Sequence, residues 1–144
     1  MHSRIIALNI KVDEDEAYAQ MEGYADYVNE IEKDNEWALE ILEAIGTVDK
    51  DALTFRADRA RVQEKLEAAY RIYQEAAINS FDDFTSQRKV WRAADALEDK
   101  FGVRVITDWS GCADPWLEFL RDLWHHPELM DKTWNITHVF DYHF

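Results

Sequence analysis

Cysteine is almost missing from this 144-residue chain. Cys112 stands alone, so no intramolecular disulfide can form, and a reducing compartment is the simpler expectation. Glycine is scarce too: four residues leave no Gly-rich loop of the kind that cradles phosphates. Long apolar runs are lacking, and nothing approaches the ~20 residues a bilayer-spanning helix requires. The N-terminal apolar stretch is about eight residues long and breaks into acids, which suits a strand better than a signal peptide. A cytoplasmic, soluble protein is expected. Positive charge is the last shortage, with 16 Lys and Arg against 30 Asp and Glu for a net charge of −14. Direct binding to DNA or RNA needs cations to displace counterions, so this balance opposes it, and it disfavours an anionic membrane for the same reason.

What is present is apolar enough to fold. A hydrophobic fraction of 47%, with 13% aromatic, is too rich for a disordered chain, and the length suits one domain spanning 1–144. Ile6, Leu8, Ile10 and Val12 alternate with Asn9 and Lys11, which reads as a half-buried strand. From Asp13 the period lengthens. Ala17, Met21, Tyr24, Val28, Ile31, Ala38, Leu42 and Ile45 recur at helical spacings, predicting one helix over 14–45 with Gly46 as its C-cap.

A second helix is expected from Asp49 to Ala76, forming a hairpin with the first, and a third from Ser80 to Phe101. Residues 103–109, VRVITDW, read as a strand. Asp114 and Pro115 then open a short helix that stops before Pro127. The tail alternates: Trp134, Ile136, His138, Phe140, Tyr142 and Phe144 share one face of a strand, Asn135, Thr137, Val139, Asp141 and His143 the other. The expected fold is thus a helix-dominated α+β domain of order β-α-α-α-β-α-β. A small three-stranded sheet would be covered by a helical layer that includes the long N-terminal hairpin.

The charge is concentrated. Residues 13–51 carry 14 acids and 2 bases, a balance of −12, whereas 52–79 hold 5 bases against 4 acids. On a single helix, Asp15, Glu22, Asp26, Glu36 and Glu40 would lie opposite Met21, Val28 and Leu42. Carboxylates four residues apart rise ~6 Å, comparable with phosphates along a nucleic-acid strand. Such a row can present a polyanion to a basic cleft. Trp37 falls at the edge of the apolar arc, either as core or as an interface anchor among Glu30, Asp34, Glu36 and Glu40. The bases Arg56, Arg59, Arg61, Lys65 and Arg71 are expected to pair with the acids of the first helix.

Catalytic material is thin. Cys112, Asp114, His125, His126, His138, Asp141 and His143 gather in the C-terminal third, with Asp141 and His143 placed as i,i+2 ligands on one strand face. No C-x-x-C or H-E-x-x-H spacing accompanies them, and nothing orients Cys112 as a nucleophile. The reading is therefore a non-enzymatic, cofactor-free acidic module that binds and blocks a basic protein surface evolved for nucleic acid. DNA mimics, phage counter-defence proteins and nuclease immunity proteins share that charge pattern. Its expected partner-binding residues are Asp15, Glu22, Asp26, Glu30, Asp34, Glu36, Trp37 and Glu40. The alternatives are a small metal-dependent enzyme using the C-terminal His and Asp residues, and an assembly protein that forms a homo-oligomer.

Overall fold

The computed structural model describes residues 2–78 and 102–144. Within them β1 (His2–Leu8), α1 (Glu14–Met21), β2 (Tyr27–Ile31), α2 (Glu36–Glu43), β3 (Gly46–Asp49), β4 (Thr54–Ala57) and α3 (Arg59–Ile78) follow in order. After them come β5 (Arg104–Thr107), β6 (Ala113–Pro115), α4 (Trp116–His125), α5 (Pro127–Met130) and β7 (Thr133–His143). The expected third helix, 80–101, lies outside the described residues.

Among the described residues seven strands form one mixed sheet curled into a half-barrel, and helix (about 40%) and strand (about 32%) are close to balanced. This overturns the helix-dominated domain with a three-stranded sheet and a long helical hairpin. The strand order is β3-β4-β7-β1-β5-β6, with β2 also on β7. β1 and β5 run parallel, while every other pair is antiparallel.

The supposed first helix is three elements, and its punctuation is chemical. Gly23 adopts φ +88°, a conformation that only glycine reaches without strain, and ends the turn after α1. Asp13 and Glu16 close a capping box at the other end of α1. Tyr27-Val28-Asn29-Glu30-Ile31 then pairs with Val139–His143 as a strand. Asn35 caps α2, its side chain accepting from the amide N–H of Ala38 at 3.1 Å. The second expected helix is interrupted in the same way. Asp49 is a turn residue, accepting from Asp51 and Ala52 N–H at 3.0 Å each, so that β3 and β4 form a hairpin. Asp58 caps α3 through the N–H of Arg61. At α4, Ala113–Pro115 belongs to a strand on β5, so Asp114 is no cap and the helix starts at Trp116.

The sheet is buried on both faces. Ile6, Leu8, Val105, Trp134, Ile136 and Val139 pack under α2 to α5, while Ile5, Ala7, Ile106, Phe140 and Tyr142 pack under α1. The run Ile5-Ile6-Ala7-Leu8 is therefore a two-sided strand, the pattern of a strand beside a parallel neighbour. Burial of Leu39 and Leu42 on α2 contributes about 1.5–3 kcal/mol per side chain.

The tail does not keep one apolar face. Ala7 pairs with His138 but Leu8 with Ile136, so Thr137 is an extra residue in β7 and forms a bulge. Its hydroxyl shares its one proton between the carbonyls of Ala7 and Ile10, which fixes the kink. Beyond the bulge the alternation inverts: Trp134 and Ile136 share a cluster with Val139, whereas Phe140 and Tyr142 face the other side.

Candidate protein-docking surface

Residues 13–43 cover parts of both faces of the sheet and, through β2, one of its edges. α1 packs on one face through Ala17 and Met21, α2 on the other through Ala38, Leu39 and Leu42, and β2 joins them along the outer edge of β7. Local bonds hold β2 there. The N–H of Asp26 donates to the carbonyl of His143 at 2.6 Å, and the Asp26 carboxylate lies 3.3 Å from His143 Nδ1. Farther along, Glu30 meets His138 Nδ1 at 2.6 Å, and its own N–H donates to Glu14 at 2.8 Å. Tyr27 stacks on the His143 ring at 5.4 Å.

The seven carboxylates among the eight expected contact residues divide into two groups, with Trp37 apart. Asp26 and Glu30 serve the fold through the histidines just named. Asp15, Glu22, Asp34, Glu36 and Glu40 are exposed and have no cationic partner among the described residues. They do not form a straight row on one helix, because they are spread over α1, the connections flanking β2, and α2. Trp37 is 45% exposed, so it is not core. One face of its ring carries the Arg4 guanidinium at 4.4 Å from the centroid, and Arg4 is itself fixed by Asp141 at 2.6 Å. The expected pairing between the bases after residue 52 and these acids is also absent among the described residues. Arg61 instead donates to the carbonyls of Glu43 and Gly46, and Arg59 lies over Trp124.

Three further aromatics of this segment are exposed: Tyr18 (41%) on α1, Tyr27 (39%) on β2, and Tyr24 (47%), whose ring carries the Arg104 guanidinium of β5 at 5.4 Å from its centroid. With Trp37 they are half of the eight exposed large apolar side chains among the described residues. Helical periodicity places Tyr24 in a core stripe, and the fold exposes it. Gly23, immediately before it, was the available signal that the stripe ends.

The C-terminal histidines do not assemble a metal centre. Among the described residues no three His, Cys, Asp or Glu side chains are placed to share an ion. Asp141 and His143 do share a strand face, but Asp141 binds Arg4 and His2, and His143 binds Asp26. His126 lies against Trp109, its ring centroid 4.9 Å away, and 3.6 Å from Glu128. His138, expected in an apolar face, is half-buried and engaged by Glu30. Burial, then the neighbouring Asp114, push the Cys112 thiol up, opposite to what a nucleophile needs. No described helix is long and apolar enough to cross a membrane. No protein family, no curated protein and no solved structure matches this chain.

Proposed function

We propose that the protein is an acidic binding module that docks the α1–β2–α2 edge on a basic protein surface of the kind used to hold nucleic acid, and so blocks it. One observation carries this reading: on α2 and the connection leading into it, the exposed Trp37 stands among Asp34, Glu36 and Glu40, exposed carboxylates with no ion-pair partner among the described residues. Unpaired charge steers a partner of opposite sign and speeds encounter. Aromatics among it supply the contact area in which binding energy concentrates. Trp37, pre-set by Arg4, loses little freedom on docking.

The test uses a partner captured from the native host at low salt and released at high salt, with displacement of that partner from nucleic acid as the readout. The variant D15K/D34K/E36K/E40K leaves Asp26 and Glu30 to hold β2. It should fold normally and associate at least about tenfold more slowly, with a flatter salt dependence. W37A should cost ~2 kcal/mol or more of binding. Unchanged kinetics and salt response in the folded four-lysine variant would show this edge to be only a solvated surface.

A further inference from the structure

Where the chain leaves β1 it crosses β7 at the Thr137 bulge, and a cleft of about 670 Å³ opens beside the crossing. Its basic residues come from separate segments: Lys11 from the β1–α1 connection, Lys33 from the β2–α2 connection, and His138 from β7. Neither lysine has an ion-pair partner among the described residues, in a chain with nearly twice as many acids as bases. Two acids also line the wall and keep their charge, but their carboxylates are turned to the backbone donors of the α1 capping box. Asp13 accepts from the N–H of Glu16 at 2.8 Å, and Glu16 accepts from that of Asp13 at 3.2 Å. Glu30 occupies His138 Nδ1, which leaves Nε2 as the ring nitrogen without a partner among the described residues. Val12, Leu53 and Ile136 supply apolar lining. The walls are tied down, since the Leu53 carbonyl accepts from the N–H of Ile136 at 2.9 Å and Thr137 holds Ile10.

We propose that this cleft binds a small organic anion, a phosphate or carboxylate head held by Lys11 and Lys33 with a compact apolar body against Leu53. The overall negative charge does not forbid it. Exposed charges beyond about 8–10 Å are largely screened at physiological salt, whereas Lys11 and Lys33, which line the cleft, act on a bound anion at short range. The volume exceeds that of a bare oxyanion, and the apolar wall accounts for the remainder.

Amide NMR titration of the intact protein at fixed ionic strength tests this, with phenyl phosphate, benzoate, inorganic phosphate and phenol as probes. Saturable shifts at Lys11, Lys33, Leu53 and His138 are expected with phenyl phosphate or benzoate, and the stronger of the two identifies the head group. Phenol and inorganic phosphate should bind more weakly than the better organic anion. The variant K11Q/K33Q alters exposed side chains, keeps the native spectrum, and should bind at least about tenfold more weakly. The proposal is overturned by an absence of saturable shifts at these residues up to ~10 mM probe. Equal affinity of K11Q/K33Q, or inorganic phosphate binding as tightly as both organic anions, also overturns it.

Discussion

Cys112 shows how one neighbour sets the behaviour of a side chain. Its thiol donates to the Asp114 carboxylate at 3.2 Å, and burial followed by that carboxylate disfavours the thiolate. D114N should therefore raise the rate of iodoacetamide alkylation at pH 7.5 by a few-fold, since the thiolate is the reactive form. Equal rates would show that Asp114 does not hold the proton. Asp122 carries a related cost. Burial first, then Asp114, raise its carboxyl above the usual range. A carboxyl raised on folding favours the native state least when ionised. The cost is absent below the unfolded value near pH 4 and grows as pH rises through the folded one. D122N should thus raise the melting temperature at pH 7, and the gain should shrink toward pH 4. A gain independent of pH would point to packing instead.

At the scale of elements, the β3–β4 hairpin depends on the missing side chain of Gly46. A methyl there would collide with the Arg56 carbonyl and lie 2.6 Å from Phe55 Cε2, so backbone must move. G46A should cost about 1–3 kcal/mol in urea unfolding, the range for overpacking a tight site. A neutral effect would mean that the hairpin shifts freely. Gly46 had suggested a helix C-cap; α2 does end just before it, but the glycine is needed for close approach to β4. Similar ambiguity attaches to Gly23, Asn35 and Asp49. Each is a polar or flexible interruption in an apolar pattern that a long helix can accommodate, and each marks an element boundary in the fold. The bulge at Thr137 was illegible for a different reason. Alternation along one strand carries no record of its partner's register, and only pairing with β1 shows that one residue is extra.

The whole molecule carries its charge on adjoining elements. Asp15, Glu22, Asp34, Glu36 and Glu40 repel across α1, the β2 connections and α2, and none has an ion-pair partner among the described residues. The Debye length is about 10 Å at 0.1 M and about 3 Å at 1 M salt, so added salt relieves this repulsion and leaves close pairs such as Arg4–Asp141 largely intact. The melting temperature at pH 7 should rise between low salt and ~0.5 M sodium chloride. A fall would mean that exposed ion pairs outweigh the repulsion.

By itself the sequence determined the acidic concentration over 13–51, the strands within 5–12, 103–109 and 134–144, the helix before Pro127, and the residue types of the candidate surface. Each is a local property, written in composition or in a period repeated often enough to be distinctive. Tertiary structure alone decided that Tyr27–Ile31, Gly46–Asp49 and Thr54–Ala57 are strands. Such segments have too few residues to show a period of their own, and their backbone bonds are made with distant chain: Tyr27 pairs with His143, and Phe55 with Trp134. Tertiary structure likewise exposed Trp37 and brought Lys11, Lys33 and His138 to one cleft, because which side chains share a surface depends on how the sheet is ordered.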